Sequence, residues 1–172
     1  MNIFIGCSSN NNIDNIYIDK SIELVSNISH YNLIVGGISG LMGKLLEIFS
    51  NSTVFCVKDY YDDIGDYYVR ENYKTVNERK NAIIDRADVF LFLPGGIGTM
   101  DELFSILEAK RAKQHNKRII IYNINHYYDY LIDLLDNIYK ENFSDVSNKD
   151  LYVITDNLEY CLKYINSGDG NG

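Results

Sequence analysis

The segment Pro94-Gly95-Gly96-Ile97-Gly98-Thr99-Met100-Asp101-Glu102 brings bare backbone, a hydroxyl and two carboxylates together. It follows the apolar run Asp88–Leu93 (DVFLFL), which stops on the single proline of the chain. A glycine turn that feeds a helix leaves unpaired N–H groups at the positive end of the helix dipole, which is an anion site. Phosphate there would be held by the backbone around Gly95, Gly96 and Gly98 and by the Thr99 hydroxyl. Glu102 is the candidate working carboxylate. Its spacing from Thr99 also matches a capping box, in which the carboxylate bonds back to the N-cap amide. The same pattern stands at Thr75–Glu78, with a D-x-x-E version at Asp156–Glu159, so both roles are open for Glu102.

Two further clusters suit the same ligand class. In Asn77-Glu78-Arg79-Lys80-Asn81, adjacent cations sit near the start of a predicted helix, where the dipole disfavours positive charge. That placement suggests a nearby anion, the alternative being a solvated pair. Gly36-Gly37-Ile38-Ser39-Gly40-Leu41-Met42-Gly43 carries four glycines, which cost backbone entropy unless φ is positive or a ligand packs on the main chain. Gly36, Gly37, Gly40 and Met42 are therefore candidates for ligand contact. The spacing is neither G-x-G-x-x-G nor a Walker loop, which argues against a dinucleotide dehydrogenase. Gly6 and Ser8 in the early GCSS turn are weaker candidates. His30, His115 and His126 have no metal-site or nucleophile–base spacing, and Cys7, Cys56 and Cys161 form no CxxC pair. Neither a metal nor a cofactor is expected.

The elements that must position these groups alternate along the chain. Strands are predicted at Asn2–Gly6, Leu33–Val35, Thr53–Val57, Asp88–Leu93, Arg118–Tyr122 and Tyr152–Ile154. Helices are predicted at Asn15–Ser29, Leu41–Phe49, Thr75–Arg86, Thr99–Lys113, Tyr127–Glu141 and Asp156–Ile165. Short apolar strands alternating with helices imply right-handed crossovers, hence an α/β doubly wound, Rossmann-like parallel sheet with helices on both faces. Ligands then bind beyond the carboxyl ends of the strands. Asp59–Tyr73 has no clear period and is expected to be a loop or flap. Its tyrosines, among them Tyr60, Tyr61, Tyr67, Tyr68 and Tyr73, are possible walls for a base. Residues 1–166 are expected to form one domain, with 167–172 a flexible tail.

At 172 residues the chain suits one self-sufficient core. A net charge of -8 argues against a nucleic-acid polymer or an anionic membrane as partner, since no basic stripe is available. MNIFIGCSS has no basic n-region or long apolar run, and no stretch approaches a membrane span, so a cytoplasmic protein is expected.

GGISGLMG, ERK and PGGIGTMDE, in that order, resemble the LONELY GUY (LOG) family, cytokinin riboside 5'-monophosphate phosphoribohydrolases long described as lysine decarboxylases. The resemblance covers nearly the whole chain, including GCSS and NINHYYDYLIDLLD. It implies a doubly wound homodimer that hydrolyses the N-glycosidic bond of an adenosine-type 5'-monophosphate, N6-modified or not, releasing free base and ribose 5-phosphate. Carried over by position, it makes Arg79 and Glu102 the catalytic pair and Lys80 their basic neighbour. Gly95, Gly96, Gly98 and Thr99 become the phosphate turn. Arg79 would contact either the phosphate or the departing base. Val35 stands where the family usually has a first glycine, Asn77 where it usually has histidine, and the span from Gly43 to Thr75 is short. Two rival functions remain on the same fold: a non-catalytic nucleotide-binding sensor or sequestering module, and a transferase that passes ribosyl phosphate to an acceptor other than water.

Overall fold

Apolar residues that alternate with period two over four or five positions can bury one set on each face of a sheet. In strand β1 (Asn2–Gly6), Ile3 and Ile5 point to one layer and Phe4 to the other. The computed structural model describes residues 1–57 and 68–167. The other strands are β2 (Asn32–Val35), β3 (Asn51–Val57), β4 (Val69–Tyr73), β5 (Val89–Phe92), β6 (Arg118–Tyr122) and β7 (Val153–Thr155). They pair, all in parallel, in the order β4-β3-β2-β1-β5-β6-β7.

The helices are α1 (Asn15–Ser26), α2 (Gly40–Leu46), α3 (Val76–Arg86), α4 (Ile97–Arg111), α5 (Asp129–Lys140) and α6 (Leu158–Asn166). Leu24, Leu45 and Cys161 carry α1, α2 and α6 onto the layer of Ile3, Ile5 and Leu91. Ile83, Leu103 and Leu131 carry α3, α4 and α5 onto the layer of Phe4, Phe90 and Phe92. The doubly wound class is therefore present as expected. From β1 the chain winds outward to β4, then returns as β5 on the other side of β1, pairing Gly6 with Phe92. That reversal opens a crevice beyond the carboxyl ends of β1 and β5.

Several boundaries differ from expectation. Residues 69–73, expected as loop, form edge strand β4. An edge needs little apolar surface, and its VRENY sequence hides it, with Tyr73 packing on Phe55 at a centroid distance of 5.3 Å. The rest of the expected flap, with Tyr60, Tyr61 and Tyr67, lies outside the described residues. Helix α4 begins at Ile97 behind Gly96 as N-cap, ahead of Thr99. Asn157 rather than Asp156 caps α6, accepting from the Tyr160 amide. A 3-10 turn, Ile124–His126, precedes α5, and another, Val146–Leu151, precedes β7. Ser167, expected to open the tail, closes α6 by donating its amide to the Lys163 carbonyl; residues 168–172 lie outside the described ones. Among the described residues no helix is long and apolar enough to cross a membrane.

Candidate active site

One guanidinium joins three elements at the mouth of the crevice. Arg79, on α3, donates from Nη2 to Glu102 Oε1 on α4 at 2.7 Å and from Nη1 to the Gly36 carbonyl after β2 at 3.3 Å. Its Nε is buried without a partner among the described residues. Glu102 is 7% exposed. Its Oε2 carries no hydrogen bond to any described residue, so one carboxylate oxygen is held by arginine and the other is available. Burial is the dominant influence on this carboxyl and pushes it up to about 7, with Asp101 adding to the rise while Arg79 and, more weakly, Lys80 oppose it. Glu102 therefore divides between acid and carboxylate near neutrality, the poise that general acid–base chemistry requires.

The capping box expected as an alternative for Glu102 is absent. Thr99 lies inside α4, and its hydroxyl donates to the Cys7 carbonyl at 3.1 Å, tying the helix to the loop after β1. At Thr75 the hydroxyl does accept from the Glu78 amide, and Glu78 reaches back to the Lys74 amide at 2.9 Å.

Around the pair lies a cleft of about 460 Å³, within the range of small-ligand sites. Glu102, Arg79, Gly36, Thr99 and Ser8 line it, and Met42, Val57 and Val76 supply apolar wall. Gly96, Ile97 and Gly98 form its rim, where no side chain caps the first turn of α4. A hollow of equal volume at the opposite end of the sheet is lined by residues such as Asn2, Asn32, Asn51 and Arg86. It has no glycine turn, and Arg86 is paired with Glu71.

The glycines divide into two kinds. A Cβ added to Gly96 or Gly98 would meet nothing within 4 Å, so bare backbone there faces open space. At Gly36 it would press on Arg79 and Glu102. Gly6 is bare because Phe92 packs over it, Gly43 because the Ile38 carbonyl does, and Gly95 because Thr99 fills the space. Gly40 has φ 62°, and a Cβ would overlap the Ser9 backbone. Gly40→Ala therefore lowers stability by roughly 1–3 kcal/mol. Gly98→Ala leaves the melting temperature unchanged while weakening anionic ligands. Thermal melts paired with ligand titrations check both, and undiminished binding by Gly98→Ala would remove that glycine from the site.

Not every candidate reaches the cleft. Gly6, Gly37, Gly40 and Gly95 are buried scaffold. Lys80, expected to bind phosphate, instead donates to both Asp101 oxygens at 2.9 Å and to Ser105 Oγ at 3.0 Å, outside the lining. Tyr68 and Tyr73 lie away from the cleft, so neither walls it. Ser9, the second hydroxyl of the GCSS turn, lines it beside Ser8, and Asn10, Val57, Val76 and Asp101 line it unforeseen. Asp101 lies inside PGGIGTMDE, where its carboxylate was within reach; the two valines carry no local signature. Cys7 also lines it, but burial pushes its thiol far up, which keeps it un-ionised. Among the described residues no cluster of three His, Cys, Asp or Glu could hold a metal.

A family model described as "Possible lysine decarboxylase" matches residues 34–165. The probable cytokinin riboside 5'-monophosphate phosphoribohydrolase LOG4 of Oryza sativa subsp. japonica is 36% identical over 89 residues, 52% of this chain and 39% of that protein. The cytokinin riboside 5'-monophosphate phosphoribohydrolase LOG5 of Arabidopsis thaliana is 26% identical over 171 residues, 94% of this chain and 75% of that one. Among solved structures, the molybdenum cofactor carrier protein of Chlamydomonas reinhardtii superposes with a TM-score of 0.69 over 95% of this chain and 94% of its own, at 14% identity. A molybdenum cofactor binding protein of Rippkaea orientalis gives 0.63 at 16% identity, covering 95% and 93%. At such identities these two show the fold alone.

Proposed function

Because the chain belongs to the LONELY GUY (LOG) family, we propose that it is a hydrolase that cleaves the N-glycosidic bond of an adenosine-type nucleoside 5'-monophosphate, with or without an N6 substituent. The products are the free base and ribose 5-phosphate. The observation that carries this is the buried Arg79–Glu102 pair facing a glycine turn with open backbone.

Glycoside cleavage passes through an oxocarbenium-like state. Glu102, with one oxygen anchored, presents the other to the ribose, where a carboxylate stabilises developing positive charge and orients a hydroxyl or the attacking water. Two of the donors of Arg79 are already used by Glu102 and Gly36, so its main work is to hold that carboxylate and keep it ionisable. The 5'-phosphate lies over Gly96 and Gly98 at the start of α4, whose dipole favours an anion. Met42, Val57 and Val76 offer the base an apolar wall. A nucleotide-sequestering module is not favoured, since binding alone has no use for a carboxylate poised near 7. Among the described residues no lysine lines the cleft as a Schiff-base amine for lysine decarboxylation.

The test is incubation of the pure protein with AMP and with isopentenyl-AMP, with assay for free base and ribose 5-phosphate. No release from any purine or pyrimidine monophosphate would overturn the proposal. The working form is a homodimer, supported by an apolar groove between α4 and α5 that exposed Phe104 lines with Leu107, Leu135 and Ile138. Sedimentation as a monomer at micromolar concentration would contradict it. Location in the cytoplasm is supported by three buried cysteines, all free thiols.

A further inference from the structure

Three successive carbonyls that lead from β5 into the phosphate turn are tied down. Tyr128 Oη donates to the Leu93 carbonyl at 2.6 Å, the Ser8 amide to the Pro94 carbonyl at 3.1 Å, and Tyr127 Oη to the Gly95 carbonyl at 2.5 Å. None of the peptide bonds is cis. In a trans peptide unit the C=O and the following N–H point in opposite directions. Whatever grips the carbonyl therefore aims the amide. The Gly95 carbonyl shares its peptide with the Gly96 N–H, and Gly96 lines the cleft. We propose that Tyr127 is a positioning residue that turns the Gly96 N–H toward the substrate phosphate.

Tyr127 is itself held for this task. Its ring meets Tyr17 edge-on at 5.8 Å and Tyr128 at 5.0 Å with an interplanar angle of 86°. The two residues before it, Asn125 and His126, are left-handed at φ 49° and 60°, which bends the chain after β6 back toward the turn. Asn123 secures that bend by accepting from the Tyr128 amide at 2.7 Å.

Tyr128 provides an internal contrast. The Leu93 carbonyl shares its peptide with the nitrogen of Pro94, which has no hydrogen. Holding it stabilises the fold and aims nothing. The adjacent tyrosines, chemically alike, therefore have separable effects.

The inference rests on the phosphoribohydrolase proposal, and the probe is ribose 5-phosphate, its phosphorylated product. Calorimetric titration of wild type, Tyr127→Phe and Tyr128→Phe is combined with thermal melts and the phosphorus NMR shift of the bound ligand. Tyr127→Phe should weaken binding about five- to tenfold, the worth of one well-aimed hydrogen bond, and move the bound phosphorus resonance. Tyr128→Phe should lower the melting temperature and leave affinity within about twofold. Equal affinity in wild type and Tyr127→Phe would overturn the positioning role while leaving the proposed function standing. Equal weakening by both variants would also overturn it, as general loosening of the turn. Wild type that fails to bind ribose 5-phosphate would sink both proposals. If Tyr128→Phe does not fold, the comparison of wild type with Tyr127→Phe still decides.

Discussion

Glu102→Gln lowers kcat/KM for a nucleoside 5'-monophosphate by about 10³-fold or more, the usual scale when the group facing developing charge is neutralised. The substitution keeps shape and an acceptor for Arg79 Nη2, now bonded at 2.7 Å to Oε1. It removes the negative charge that an oxocarbenium ion needs. Because Glu102 is not a capping residue, the start of α4 loses nothing, and circular dichroism and a cooperative melt should show an intact fold. AMP binding should remain measurable in the variant, since the phosphate contacts lie at Gly96 and Gly98. Retention of more than about a tenth of wild-type kcat/KM would remove Glu102 from the chemistry.

Arg79→Ala should lower activity by about 10²-fold near neutrality and displace its pH dependence. Removing one partner of a buried ion pair costs about 3–5 kcal/mol if the other stays charged. Arg79 and Glu102 side chains are 16% and 9% exposed, buried enough for that penalty to operate. Glu102 escapes it by keeping its proton, so its pKa rises above the wild-type value of about 7. The active form is the carboxylate, which exists above the pKa. Wild-type kcat/KM therefore climbs with pH and levels off above about 7, while the variant climbs later and recovers part of its loss in alkali. Stability follows the same linkage. A carboxyl whose folded pKa exceeds its unfolded one binds more protons in the native state, so its contribution falls as pH rises through that window. The variant should be least stable at alkaline pH. Rate profiles from about pH 5 to 9 check this, and carboxyl-carbon NMR of Glu102 separates it from the substrate phosphate, which titrates near 6. An unmoved limb would show that Arg79 does not set the ionisation of Glu102.

Much of the scaffold was legible because its causes are local. The DVFLFL run, the proline stop and the glycines behind it announce a strand, a turn and a helix within a few residues of each other. Strand β4 was not legible, since an edge strand with sequence VRENY carries no apolar alternation and is made a strand by its hydrogen bonds to β3. The start of α4 was displaced for a related reason. Thr99 has the residue type of a cap, but a glycine took the cap position, and the threonine hydroxyl found the Cys7 carbonyl from another element.

The sequence by itself determined the alternating class, the order of six strands and six helices, the phosphate-suited turn and the chemical types available around it. Periodicity and turn chemistry act between near neighbours, and those can be read along a line. Tertiary structure alone decided which groups work together. Arg79 and Lys80 are adjacent, equally basic and equally plausible as anion ligands. On α3 they are turned about 100° from each other, so Arg79 lines the cleft beside Glu102, while Lys80 stays out of its lining and is neutralised by Asp101. The same holds for the glycines, alike in type but separated by whether packing or open space lies over them, and for Tyr127 and Tyr128, whose contrasting effects depend on which peptide each hydroxyl reaches across the fold.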